Sequence, residues 1–433
     1  MIRRNSASNI MREAIHRDKS RQQIRAVTIT AIIAALTLSS ATPAQTPVNP
    51  SCTARPTGDD ANNPHPVCDV RAVITRGPYL HAPTDSSATI TWMTDLPSRA
   101  KVMFGVNGQL THTSYSATNG LVNVGTLHTV RISGLKPGQR YDYRVMNTPV
   151  LDLPAYWPKT GMESQSDIFY FTAFDSRKPT VRFASISDTH EDTSRIVMLM
   201  KRINFDSLDF LVNTGDAFNG VQSEAQLWDR WLSPLINYGI KQNTPLIFAR
   251  GNHDTRGPFA RELSRYVPIE EHRFYFTRDV GPVHLLVVDT GEDKPDSTQV
   301  YAELNRMDEY RREELVWFKQ HAASSARAKA APFRVVVMHQ PSWGWGWKSP
   351  ASDSARAAWD KAANDAGVDL VIAGHTHRFS LSPAGTNGSK YPVLVVGQDQ
   401  VAKVQASAAE MRVQVIGKDG KELSNFVVKR RAR

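Results

Sequence analysis

A chain of 433 residues, 41% hydrophobic and 22% charged, has the composition of a soluble globular protein and the length for two or three domains with sizeable cores. Those values exclude a fibrous or largely disordered chain. The formal charge of +10 does not mark a nucleic-acid binder: residues 1–45 contribute +5 and residues 429–433 contribute +4, which leaves about +1 for the folded body, where a basic face would have to lie.

In chain order, the first element is a basic stretch, Arg3 to Arg25, followed by the uncharged run Ala26–Ala41 and then small residues. The run is short of the ~20 residues needed to span a bilayer, so residues 1–44 are predicted to be a signal peptide, with an uncleaved anchor as the alternative. Residues 45–69 are rich in Pro, Asn, Thr and Asp and read as a linker. They contain the chain's two cysteines, Cys52 and Cys68. Export permits a disulfide between them; the alternative is two idle thiols.

From about Val73 the pattern is one of short β runs and turns. Ala88–Thr94 alternates apolar and polar, Ala100–Val106 follows Pro97, and Thr126–Leu135, Tyr141–Val145 and Ile168–Ala173 complete the series. Strands at this spacing, with no helical period, predict an all-β sandwich over residues 70–175. The segment Leu135-Lys-Pro-Gly-Gln-Arg-Tyr141 resembles the tyrosine corner of fibronectin type III-like domains, with Trp92 as a core aromatic.

Near Ser176 the grammar changes. Apolar strand runs alternate with helix-like segments at Arg195–Arg202, Glu224–Leu235, Asp308–Ala323 and Ala355–Ala366. This predicts an α/β domain over 176–433, its β-sheets sandwiched by helices and its chain end returning to short strands. Val181–Ser187 leads into Asp188, Phe210–Asn213 into Gly215-Asp216, Pro245–Ala249 into Gly251-Asn252, Phe333–Met338 into His339, and Asp369–Ala373 into Gly374-His375. Ligands of open α/β sheets sit at the carboxyl ends of the strands, so folding gathers these five polar residues at one rim. Asp, Asn and His without Cys suit hard or borderline divalent cations.

The series Asp188-Thr-His190, Gly215-Asp216, Gly251-Asn252-His253-Asp254, His339, and Gly374-His375-Thr-His377 is similar to the calcineurin-like metallophosphoesterase superfamily, over residues from about 180 to 400. The sandwich resembles the domain that precedes the catalytic part of purple acid phosphatases. The resemblance implies two divalent metal ions (Fe, Mn or Zn): one held by Asp188, His190 and His377, the other by Asn252, His339 and His375, with Asp216 between them. A carboxylate is the shared anion that two close cations need, and a water between them would be the nucleophile. His253 would face the substrate, protonating the leaving oxygen or binding a phosphoryl oxygen, and Asn252 would also touch the substrate. Asp254 would orient His253 or cap the loop. The implied activity is hydrolysis of a small-molecule phosphate ester, a monoester first, with a phosphodiesterase or nucleotidase on the same site as the alternative. A silent binding protein with a relic site is the alternative of another class. No nucleic acid and no stable membrane partner is expected.

The chain departs from purple acid phosphatases at two positions. Asn219 stands where those enzymes have a tyrosinate ligand, and His190 stands where they have glycine. Arg256 is a candidate for binding a phosphoryl oxygen, or else a solvated loop arginine. The run Trp343-Gly-Trp345-Gly-Trp347 would form an aromatic wall beside the site, or else pack against the sandwich.

Overall fold

A computed structural model describes residues 51–55, 65–269, 273–322, 324–341 and 350–431. The predicted signal peptide and the residues Trp343, Trp345 and Trp347 lie outside the described residues.

The all-β sandwich forms as expected, with one difference in its strands. The two runs flanking Pro97 are a single strand, Ser87–Val106. Its first half pairs with Ile74–His81 and Val124–Ser133, its second half with Arg140–Asp152 and Gln109–Tyr115. Proline has no N–H for the ladder. The hydroxyls of Thr94 and Ser98 both donate to the Leu96 carbonyl (2.8 and 2.9 Å), so the strand bends there without ending. The alternating side chains meet in a core that includes Ile90, Trp92, Val102, Val130 and Tyr143. The tyrosine corner is present, the Lys136 N–H donating to the Tyr141 hydroxyl at 2.9 Å.

The stretch read as a linker, 45–69, needs correction. Within its described part, Cys52–Arg55 and His65–Arg71 form an antiparallel hairpin joined by a Cys52–Cys68 disulfide, and the second strand lies parallel to Lys159–Met162. A cross-linked hairpin added to a sheet edge needs no core of its own. A composition rich in Pro, Asn and Thr therefore hides it.

One buried histidine in the sandwich has a measurable consequence. His128 packs against Trp92 with ring centroids 5.3 Å apart, its Nε2 lies 2.8 Å from Thr94 Oγ1, and burial lowers its pKa to about 4. The unfolded chain takes up that proton near pH ~6.5, the folded chain only near pH 4. Stability is therefore held above pH ~6.5 and falls as pH drops toward 4, by ~2–3 kcal/mol at pH ~4.5. Urea unfolding of wild type and His128→Gln at pH ~7 and ~4.5 checks this. The variant is expected to show the smaller acid loss, and equal losses would remove His128 as the cause.

The α/β domain has two sheets packed face to face. Thr180–Ile186, Phe210–Asn213 and Leu246–Phe248 run parallel in the first, which continues through Gln400–Ser407, Glu410–Gly417 and Glu422–Lys429. Val283–Val287, Phe333–Val337, Leu370–Ala373 and Val393–Val395 run parallel in the second. Phe183, Val212, Ile247, Leu285, Val335 and Ile372 belong to the core between them. On the outer faces, Ile196 and Leu199 of the helix Thr193–Met200 belong to one further core and Trp317 of the helix Met307–Trp317 to another. Burial on both faces is what the uninterrupted apolar runs demand. The domains share backbone: Leu246 pairs with His81, and the Ala82 N–H donates to the Leu246 carbonyl at 2.9 Å.

Candidate metal centre

The parallel strands of both sheets end at one rim, and the loops leaving them are bonded to one another. The N–H groups of Asp188, His190 and Glu191 donate to the carbonyls of Gly215, Asp216 and Ala217 at 3.0, 3.0 and 2.7 Å. Across the two sheets, His339 Nδ1 donates to the Thr214 carbonyl at 2.7 Å. The His375 N–H meets both oxygens of Asp188, at 3.1 and 3.0 Å. The approach is close. A Cβ on Gly374 would sit 1.8 Å from Ser187 Oγ, and one on Gly251 would sit 2.3 Å from Asp216 Oδ1.

All seven predicted ligands come together. Asp188, His190, Asp216 and His377 present ligand atoms within 4.8 Å of one another, and Asp216, His339 and His375 form a second group of the same tightness. Asp216 belongs to both. Asn252 joins the second group, its Oδ1 3.0 Å from His375 Nδ1. His190 Nε2 and His377 Nε2 face each other at 3.0 Å. His339 Nε2 lies 3.1 Å from Asp216 Oδ2, yet at an angle that leaves it without a hydrogen bond although it is fully buried. His190 donates its Nδ1 proton to the Phe218 carbonyl at 3.2 Å, so its Nε2 points inward with a lone pair, and the Nε2 of His339 points inward beside it. Histidine ligands of metals are characteristically oriented this way, by a bond from the other ring nitrogen.

The backbone reports the same constraint. Asp188 (φ 52°), His190 (46°), Glu191 (55°), Asp216 (50°), His375 (74°) and His377 (59°) all occupy the left-handed region without being glycine. Each such residue costs ~1–3 kcal/mol, and such residues cluster where side chains must be aimed.

Charge is concentrated here with little water. Burial raises the Asp188 pKa, and the carboxylate of Asp216 adds to the rise. Burial would raise Asp216 too, but the His339 imidazole outweighs it and holds Asp216 below the usual carboxylate range. Burial opposes the charge on His339; Asp216 and then Asp188 overcome it and push His339 up to about 10. Burial lowers His190 and His375 to about 4 each, which leaves both neutral and ready to bind a cation at neutral pH. Oxygen and imidazole donors without thiolate, a buried unbonded His339 Nε2 and one shared carboxylate fit a pair of divalent cations.

The remaining predicted residues divide. His253 lies outside both clusters. Its N–H donates to Asp216 Oδ1 at 2.9 Å, its Nδ1 donates to the Asn219 carbonyl at 3.0 Å, and its ring meets that of His190 edge-on at 5.2 Å. Asp254 makes no bond to that ring. Its carboxylate accepts the N–H groups of Asp216, Gly251 and Phe218 at 2.9, 2.8 and 3.2 Å. Of the two roles considered for Asp254, its bonds are those of the loop cap. Arg256 does not offer an open fork to a phosphoryl oxygen either. Nε and Nη2 bond Glu292 (2.8 and 2.7 Å), Nη2 also meets Asp293 at 3.0 Å, and Nη1 flanks the His253 ring nitrogens at 3.2–3.3 Å. Glu191, Glu292 and Asp293 escaped the sequence reading because they belong to no strand-end motif. The one available signal was position, Glu191 standing next to His190 and Glu292 and Asp293 soon after the strand Val283–Val287.

Residues 181–379 match the family described as calcineurin-like phosphoesterase, and residues 78–173 match the purple acid phosphatase N-terminal domain. Residues 181–379 are thus a calcineurin-like phosphoesterase domain, with a purple acid phosphatase-type domain in front of it. The chain is 25% identical to acid phosphatase type 7 of Mus musculus over 276 residues, 61% of this chain and 57% of that one. It is likewise 25% identical to purple acid phosphatase 21 of Arabidopsis thaliana over 282 residues, 61% of this chain and 55% of that one. The chain thus spans a little over half the length of these relatives. A purple acid phosphatase from yellow lupin (Lupinus luteus) seeds shares the fold at a TM-score of 0.60 and 16% identity, over 82% of this chain and 74% of that one.

Proposed function

We propose that this chain is an exported dinuclear-metal phosphoesterase that hydrolyses phosphomonoesters of small molecules. The observation that carries the reading is that Asp216 belongs to both ligand clusters, a carboxylate placed where two cations would share it. Fe, Mn or Zn bound there would supply charge to stabilise phosphoryl oxygens and a water made acidic enough to attack. The chain's own residues do the rest. Asp188, His190 and His377 hold one side of Asp216; Asn252, His339 and His375 hold the other. His253, its Nδ1 proton engaged by the Asn219 carbonyl, would carry the proton for the leaving oxygen on Nε2, which Arg256 Nη1 flanks at 3.2 Å. Export is supported by the Cys52–Cys68 disulfide, a bond of oxidising compartments.

Turnover of a mono- and a bis-nitrophenyl phosphate with Mn, Zn or Fe tests the reading. Monoester hydrolysis that needs a metal and is absent in Asp216→Asn is expected. A chain that binds no metal and turns over neither ester is instead a silent binding protein, and a preference for the diester would make it a phosphodiesterase.

The ligand set also predicts the spectrum. Asn219 occupies the position of the tyrosinate, and its amide is committed to Glu191 Oε1 at 2.9 Å. The iron-loaded protein is expected to be colourless, and an intense visible band from a phenolate-to-iron(III) transition would contradict the assignment.

A further inference from the structure

Glu191 follows a candidate ligand, adopts a left-handed backbone and matches no motif, yet its carboxylate is fully used. Oε1 accepts both the Asn219 N–H at 3.1 Å and the Asn219 side-chain amide at 2.9 Å, and Oε2 accepts from the Gln226 amide. Gln226 is fixed in turn, its oxygen accepting the Gln222 N–H at 2.6 Å and its amide also donating to the Gly220 carbonyl at 3.1 Å. The chain of bonds leads to one place: the Asn219 carbonyl receives the Nδ1 proton of His253 at 3.0 Å. Glu191 is not needed to start the helix at Glu224, because Ser223 caps that helix through the Gln226 N–H. From behind, the same loop is held by Asp254 at the N–H groups of Asp216 and Phe218.

We propose that Glu191 is a positioning residue for His253: by clamping Asn219 at two points it fixes the carbonyl that sets the tautomer and tilt of the imidazole. This rests on reading His253 as the proton donor to the leaving oxygen. The carboxylate type matters, since three donors converge on two oxygens and an amide in its place sets two N–H donors against each other at Gln226. An imidazole freed from its acceptor misplaces the proton, and misplacement by about 1 Å costs on the order of a hundredfold in rate.

The test uses the full chain loaded with Mn, a series of aryl phosphates of decreasing leaving-group acidity, and the variants Glu191→Ala and Glu191→Gln. Glu191→Ala is expected to lower kcat by about ten- to a hundredfold for phenyl phosphate. The effect should be slight for dinitrophenyl phosphate, whose leaving group needs no proton, with KM and metal content unchanged. Glu191→Gln keeps the acceptor for Asn219 and should recover part of the rate, and adding Gln226→Glu should recover more by restoring a donor–acceptor pair. A loss uniform across leaving groups, or one accompanied by loss of metal, overturns the proposal. A second readout does not need turnover: nitrogen-15 spectra of the His253 ring in the chain loaded with diamagnetic Zn, assigned by their absence in His253→Gln. The Nδ1–H signal is expected in wild type and should be broadened or tautomerically mixed in Glu191→Ala. An unchanged signal overturns the role of Glu191 whatever the rates. An inactive wild type would overturn the hydrolase reading and leave the ring spectra to decide the clamp.

Discussion

Asp216→Asn is expected to reduce phosphate release by roughly a thousandfold or more and to lower the metal content from two ions per chain to one or none. The size follows from what the carboxylate does. Asp216 is 1% exposed, lies in both ligand clusters and also receives the His253 N–H at 2.9 Å. An amide keeps the shape and one acceptor oxygen but removes the negative charge that offsets two cations. Losing several kcal/mol of charge stabilisation at ~1.4 kcal/mol per tenfold in rate gives a factor of that order. Metal analysis beside a phosphate-release assay separates the causes. Full metal content with lost activity would make Asp216 a participant in the reaction rather than the shared ligand.

His253→Gln is expected to behave differently. With its ring outside both clusters, both ions should remain, while kcat for an alkyl or phenyl monoester falls by about 10²–10⁴, the usual worth of a positioned general acid. For nitrophenyl esters the drop should shrink, because a stable leaving anion needs less help. Rates across leaving groups, with metal content measured on the same samples, distinguish the two variants. An equal loss on every ester would assign His253 to phosphoryl binding instead. Arg256 Nη1, 3.2 Å from His253 Nε2, is the group against which that alternative would be weighed.

The sequence made the chemistry legible because five of the seven candidate ligands lie just after apolar runs, and a parallel sheet delivers such positions to one edge. Asp188, Asp216, Asn252, His339 and His375 were identifiable on that ground alone. The pairing into clusters and the role of His190 needed the family resemblance. Trp92 and Tyr141 were readable from alternation and from the turn at Lys136-Pro137-Gly138. What stayed hidden depended on contacts far apart in the chain. The Cys52–Cys68 hairpin takes its order from a sheet edge at Lys159–Met162. The strand Ser87–Val106 survives Pro97 because two side-chain hydroxyls bond the bend. Glu191, Glu292 and Asp254 act through backbone N–H groups or through another side chain, and no local spacing announces that.

Anomalous scattering from crystals of the chain grown with Mn tests the central claim most directly. The account predicts two peaks about 3.5–4 Å apart, one beside Asp188, His190 and His377, the other beside Asn252, His339 and His375, with Asp216 between them. A single peak, or two peaks that do not share Asp216, would contradict it.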